Sequence, residues 1–185
     1  MKTTIPKSEM ASRYRLFAGL VHSREDCTVE YTDGLALDAM IGDSLRRAYV
    51  RLLREAPRGL LAVEDVASAL GSPESLREGL AVLRLPEACV RLFELRLEGW
   101  TRPAEVEPSE ALPAMLMAAD NIYTCPAPGT PRAVLGPDGR SVYLHPMTSR
   151  AVMLARGVLD PGPERFTLDE AALTPLFQSI DLDLP

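Results

Sequence analysis

The sequence is poor in aromatic residues and in cysteine, and both scarcities limit what the chain can build. Aromatic side chains make up 5% of the 185 residues. The core must therefore come mainly from Leu, Val, Ala and Met, a composition that suits helices. The three cysteines, Cys27, Cys89 and Cys125, are widely spaced and form no CxxC pair. We therefore expect reduced thiols in a cytoplasm rather than a disulfide framework.

Long apolar runs are also missing. No stretch approaches the roughly 20 uncharged apolar residues that a membrane span requires. Residues 1–7 are not followed by the apolar run that a secretory signal contains. We therefore expect neither a membrane span nor a signal peptide.

The motifs of common catalytic sites are missing too. The two histidines, His22 and His145, have no HxxxH or HExxH spacing, and no phosphate-binding GxxxxGK[ST] or GxGxxG is present. There is no GxSxG, and we interpret Cys125 as a small buried hydrophobe because no histidine motif accompanies it. The many carboxylates lie in predicted caps, loops and the tail, where solvated surface explains them. We therefore predict no catalytic residue, no cofactor and no metal, and expect a protein that is not an enzyme.

The formal net charge is −6, and the whole imbalance lies in the C-terminal part. Residues 1–102 contain 15 basic and 15 acidic side chains, whereas residues 103–185 contain 5 and 11. The proline-rich stretch 100–108 separates them and is the predicted boundary. We predict a helical part at 1–102 and a small acidic α+β part at 103–185, although the two could also pack as a single domain. The acidic surface argues against nucleic-acid binding there and favours a basic protein partner.

Apolar periodicity predicts helices through most of the first two-thirds of the chain. The strongest pattern lies in 35–56, where apolar residues recur every three to four positions. Residues 86–97 fit either a helix or a strand, and we favour a helix. The predicted helices of this part cover 8–20, 35–56, 63–70, 73–84 and 86–97.

The pattern changes after a further helix that begins at Ser109. Residues 122–125 look extended, and 132–135 and 140–144 flank the turn sequence Gly136-Pro137-Asp138-Gly139, a strong hairpin signal. Thr148 or Ser149 is the predicted cap of a helix to about 156, and a last helix is predicted over 168–178. The fold class expected is thus α+β, with a helix-rich N-terminal part and a small C-terminal part containing a β-hairpin.

Residues 63–84 also resemble a helix-turn-helix, which gives an alternative function as a DNA-binding regulator. Its second helix would enter the major groove, with Arg47, Arg51 and Arg77 holding phosphates. Glu74 and Glu78 lie on that helix and suit a groove lined with phosphates poorly. A plain corner between two packed helices is the other interpretation.

The segment 110–156 carries a family resemblance. Ala118–Pro126 reads as a helix running into an extended segment that ends in Cys125-Pro126, and Pro131–Leu135, the Asp-Gly turn and Val142–Ser149 follow. This order resembles the SseB-type (serine-sensitivity enhancing) domain, although Met147 replaces the usual Phe. The family has no established catalytic residues. The resemblance implies a small α/β binding module of the kind used in secretion or toxin–immunity systems.

The function expected is therefore that of a non-enzymatic accessory or adaptor protein that binds a protein partner. Trp100, the only tryptophan, is a candidate interface anchor at the predicted boundary. Tyr123, Tyr143 and His145 are the further candidate partner-binding residues. The oligomeric state is left open by the sequence.

Overall fold

The structure is a computed structural model that describes residues 2–19, 37–121 and 123–180. The chain forms two compact units: Met1–Ala62 together with Asp160–Pro185, which we call the terminal unit, and Val63–Leu159, the sheet unit. In chain order the α-helices and β-strands of the described residues are β1 (Lys2–Pro6), α1 (Lys7–Phe17), α2 (Leu37–Glu55), β2 (Glu64–Asp65), β3 (Glu74–Arg77), β4 (Leu80–Arg84), β5 (Cys89–Leu97), β6 (Ala104–Glu107), α3 (Leu112–Ala119), β7 (Arg132–Leu135), β8 (Ser141–His145), β9 (Val152–Leu159), β10 (Arg165–Asp169) and α4 (Leu173–Gln178).

The terminal unit packs its helices around a two-stranded antiparallel sheet of β1 and β10. The apolar stripe predicted for 35–56 is confirmed, since Ile41 and Leu45 of α2 are fully buried. Aromatic rings complete this core: Tyr49 meets Phe166 edge to face with ring centroids 5.0 Å apart. No helix among the described residues is long and apolar enough to cross a membrane.

The sheet unit is dominated by one curled mixed sheet. Its strand order over the described residues is β2-β9-β5-β6-β7-β8-β4-β3, and β6 pairs with β7 in parallel while every other neighbour is antiparallel. Leu83 of β4 and Ala155 of β9 belong to one buried cluster, although their strands stand far apart in that order. The sheet therefore curls around its own core, and α3 packs Met115 against Val134 in a second, smaller cluster.

The predicted fold class is wrong in its helix-rich N-terminal part, because strands dominate the C-terminal two-thirds of the structure. The helices predicted over 63–70 and 73–84 are instead short strands, a 3-10 turn at Ala67–Ala69, and the β3–β4 hairpin. Leu80–Leu83 is buried throughout, as expected of a strand covered on both faces. The helix-turn-helix and the corner between two packed helices are therefore both wrong, since residues 63–84 contain no α-helix that could enter a groove.

The helix favoured over 86–97 is also wrong, and β-bulges explain the error. Strand β5 is paired with β9, and the register shifts between Cys89 and Arg91 and again between Leu92 and Glu94. A bulge adds one residue to a strand and so changes the spacing of its inward-facing side chains. Buried positions consequently recur every three residues, at Cys89, Leu92 and Leu95, which imitates a helical period.

The helix predicted from Thr148 or Ser149 to about 156 is wrong because its predicted caps have other partners, and the helix predicted over 168–178 forms only in part. The hydroxyl of Thr148 donates to the carbonyl oxygen of Glu98 at 2.5 Å, and Ser149 Oγ donates to Glu98 Oε2 at 2.8 Å. The chain then continues as β9 rather than as a helix. Asp169 caps a 3-10 turn at Glu170–Ala172 instead, so the predicted helix 168–178 is confirmed only in its last part, α4.

The hairpin prediction is confirmed. Strands β7 and β8 pair antiparallel from Arg132 opposite His145 to Leu135 opposite Val142. Gly139 has a φ of +64°, which glycine adopts without strain. Asp138 Oδ1 accepts hydrogen bonds from the Arg140 and Ser141 amides at 3.0 and 2.9 Å. The segment after α3, predicted as extended, forms turns at Tyr123–Thr124.

Candidate functional site

The end of β8 carries a buried histidine that faces an exposed cysteine. His145 is the last residue of β8, and only 4% of its surface is exposed. Its Nε2 lies 4.0 Å from Sγ of Cys125, which is exposed in the segment after α3. The interpretation of Cys125 as a buried hydrophobe is therefore wrong.

Local hydrogen bonds fix the position of this cysteine. The side chain of Asn121 accepts a hydrogen bond from the Tyr123 amide at 2.9 Å, which is an Asx turn. The Asn121 carbonyl oxygen accepts another from the Cys125 amide at 2.8 Å. The Thr124 hydroxyl reaches back to the Ala118 carbonyl oxygen at 3.4 Å. The segment is thus held against the end of α3, and it presents Cys125 to His145.

The imidazole of His145 and the end of β8 are tightly packed against their neighbours. A Cβ at Gly79, where φ is +71°, would lie 2.9 Å from His145 Nε2, so only glycine fits at this turn. The Gly79 carbonyl oxygen accepts a hydrogen bond from the Met147 amide at 2.7 Å. Trp100, with 4% exposure, donates from Nε1 to the Pro146 carbonyl oxygen at 2.8 Å. These contacts hold the end of β8 in place.

The surroundings of His145 favour its neutral form. Burial lowers the pKa of the imidazole below its ordinary value, and the positive charge of Arg77 adds to this. The Pro126 carbonyl oxygen raises the pKa by more than Arg77 lowers it, and Asp120 raises it slightly, but burial is the largest effect. Arg77 and Asp120 themselves form an ion pair at 2.9 Å, so their charges largely offset each other. Within the described part of the chain, the buried Nδ1 of His145 has no hydrogen-bond partner.

The adjoining helix exposes apolar surface. Every side chain of α3 is apolar, yet only Met115 is fully buried. Pro113, Ala114 and Met117 are exposed and form what we call the outer face of α3, with Met117 at 75% exposure. Tyr123 follows at 94% exposure. A helix that is apolar all round is normally covered, so this face is suited to contact another molecule.

The structure brings some of the candidate residues together and separates others. Trp100 and His145 meet around Pro146, whereas Tyr123 lies exposed on the segment that carries Cys125. Tyr143 is half-buried and packs against the α3 cluster.

The arginines of the DNA-binding alternative lie on different elements. Arg47 and Arg51 are exposed on α2 of the terminal unit, and Arg77 lies on β3 of the sheet unit. His22 and Cys27 lie outside the described residues, and among those described no group of three or more His, Cys, Asp or Glu side chains is arranged to hold a metal ion.

Sequence reasoning missed the pairing of Cys125 with His145. Twenty residues separate them, and they meet only because the β7–β8 hairpin returns to the end of α3. Comparison with known proteins adds no assignment, since no protein-family model and no curated protein matches the sequence.

Proposed function

We propose that this is a non-enzymatic accessory protein of the cytoplasm, which binds a basic protein partner through the outer face of α3 and Tyr123. The observation that supports the proposal most strongly is the exposure of Tyr123 at 94% and of Met117 at 75%, beside a helix without a polar side chain. Tyrosine is enriched among the residues that dominate binding energy at protein interfaces.

Charge indicates the chemistry of the partner. The segments 74–78 and 109–125 contain the acidic residues Glu74, Glu78, Glu110 and Asp120 against the single base Arg77, a net charge of −3. All four carboxylate residues are exposed. A partner with an apolar contact surrounded by Lys or Arg would complement both features. The resemblance of 110–156 to the SseB-type domain implies a binding role as well, and stays a prediction.

Site-specific photocrosslinking tests this proposal. The crosslinker p-benzoylphenylalanine replaces Met117, Tyr123 or, as a matched exposed control on β9, Met153 (54% exposed). We expect positions 117 and 123 to capture the same protein in cells of the source organism, and position 153 not to capture it. With the purified pair, Tyr123→Ser should weaken binding by about 30-fold, the effect of losing an anchor worth about 2 kcal/mol.

Three results would contradict the proposal. The first is equal capture from position 153, which would mean that the adducts are not specific to this face. The second is a captured protein whose crosslinked surface is acidic. The third is an unchanged dissociation constant for Tyr123→Ser, which would remove the tyrosine from the interface.

A further inference from the structure

The exposed thiol of Cys125 faces the imidazole of His145, an arrangement that partner binding through α3 and Tyr123 does not require. An exposed thiol by itself is unremarkable, but the imidazole facing Cys125 is almost completely buried and has an unpartnered nitrogen. Its Nε2 lies 4.0 Å from Sγ, while Nδ1 has no acceptor or donor among the described residues.

The position of the ring proton follows from this arrangement. A buried N–H without an acceptor is costly, whereas an unpartnered lone pair costs less. The neutral ring therefore carries its proton on Nε2, the nitrogen that lies 4.0 Å from Cys125 Sγ. In this tautomer Nε2–H is a donor aimed at the sulfur atom. Hydrogen bonds to an ionised acceptor are roughly twice as strong as neutral ones, so this donor can stabilise negative charge on the Cys125 sulfur atom when it attacks.

We propose that Cys125 is a thiol-modification site which exchanges with small disulfides, and that His145 promotes the reaction by hydrogen bonding to the Cys125 thiolate. The thiol first loses its proton to solvent. The Cys125 sulfur then attacks one sulfur atom of the disulfide, a new S–S bond forms, and the original S–S bond breaks. The second sulfur leaves as a thiolate and takes a proton from solvent. Cys125 is thereby oxidised to a mixed disulfide, while the departing half is reduced to a thiol.

The other groups around the imidazole are compatible with this role. Arg77 of β3 and Asp120 after α3 are paired with each other. Arg132, opposite His145 on β7, is bound to both carboxylate oxygens of Glu107 at 2.8 and 2.5 Å. Among the described residues, Cys125 is the titratable group whose side chain meets Nε2.

Cys89 provides an internal control within the same unit. It is 1% exposed, and burial raises the pKa of its thiol to about 11. Both features suppress reaction with a disulfide. Any modification of Cys89 at neutral pH would report unfolding rather than native reactivity.

The test uses the full chain with Cys27→Ser and oxidised glutathione as the probe. The rate of mixed-disulfide formation at each cysteine is followed by peptide mass mapping between pH 6 and 9. At pH 7 we expect Cys125 to react about fivefold faster than in His145→Leu, because the Nε2–H donor stabilises the negative charge on the attacking sulfur atom. His145→Gln, whose amide also donates, should recover much of the rate.

Equal rates of Cys125 modification in the parent and in His145→Leu throughout this pH range would overturn the proposal. So would a failure of Cys125 to react while the protein is folded. Should His145→Leu unfold, as Trp100 fluorescence would show, the comparison is made between the folded parent and the parent in urea. Faster reaction of Cys125 in the folded chain supports the proposal, and equal or slower reaction refutes it.

Discussion

Gly157 is the position at which a single methyl group tests the pairing of β5 with β9. A Cβ there would lie 2.7 Å from the Arg91 carbonyl oxygen and 3.1 Å from Val66 Cγ2. The carbonyl oxygen belongs to a paired strand and cannot rotate away, so Gly157→Ala must push the two strands apart. Overpacking of this kind typically costs about 1–3 kcal/mol. The lower backbone entropy of unfolded alanine returns about 0.4–1 kcal/mol, which leaves a net loss of roughly 1–2 kcal/mol.

Urea denaturation followed by Trp100 fluorescence measures this loss. Trp100 is the sole tryptophan and is buried in the same unit as Gly157, so its signal reports the unfolding of that unit. For a slope of about 1–3 kcal/mol per molar urea, the midpoint should fall by roughly 1 M. Gly71→Ala is the matched control, because a Cβ there meets nothing within 4 Å and the backbone needs no positive φ.

The control variant should be unchanged or more stable by about 0.4–1 kcal/mol. Equal stability of Gly157→Ala and Gly71→Ala would refute the close approach of β5 and β9. A loss in both variants would instead indicate that alanine is unfavourable at these glycines for reasons unrelated to strand contact.

Three further substitutions test other contacts. Tyr49 donates to and accepts from the Thr167 backbone, and burial raises its pKa to about 12. Since a tyrosine in the unfolded chain ionises near pH 10, the free energy of unfolding of the terminal unit should fall by about 2–3 kcal/mol as the pH rises from 10 to 12. Tyr49→Phe should remove this pH dependence, and the circular dichroism signal of the helices, followed during unfolding, measures it. Asp138→Ala removes the hydrogen bonds that Asp138 accepts in the turn and should lower the free energy of unfolding by about 1 kcal/mol. Hydrogen bonds from the Ser141 hydroxyl, and then from the Arg140 and Ser141 amides, lower the pKa of Asp138 to about 2. The loss of stability relative to the parent should therefore be complete above about pH 4 and vanish as the pH falls through 2, which urea denaturation at each pH measures. Trp100→Phe removes the hydrogen bond to the Pro146 carbonyl oxygen and should lower the free energy of unfolding by about 1–2 kcal/mol. A lower midpoint of thermal unfolding would show this loss.

The elements that sequence predicted correctly are those whose signals are local. A single apolar stripe predicts helix α2, and the residues of the turn predict the β7–β8 hairpin. The strands that were mistaken for helices depend on distant partners. The buried residues of β5 recur every three positions because of the bulges opposite β9. The hydroxyl of Thr148, predicted to cap a helix, instead donates a hydrogen bond to the Glu98 carbonyl oxygen. No pattern within one segment records such pairings.

The same distinction applies to the candidate site. Trp100 and His145 are separate candidates in the sequence, and no sequence pattern indicates that Pro146 joins them. Cys125 looked inert because its histidine lies in another strand. A Cys–His pair assembled by folding has no spacing signature, unlike a metal or phosphate motif whose residues are close in sequence.

Tyr123, the proposed anchor for the partner, and Cys125, the proposed modification site, are two residues apart in one hydrogen-bonded turn. A glutathione attached to Cys125 would add a bulky, charged group beside the tyrosine that we propose as an anchor. Partner and disulfide would then compete for this turn: a bound partner should slow the modification of Cys125, and prior modification should weaken binding. Because such coupling is reciprocal in free energy, the two effects must agree in size when measured at equilibrium. Glutathionylated protein that binds the partner with full affinity would mean that Tyr123 and Cys125 serve separate surfaces, which would leave thiol exchange intact while removing its link to binding.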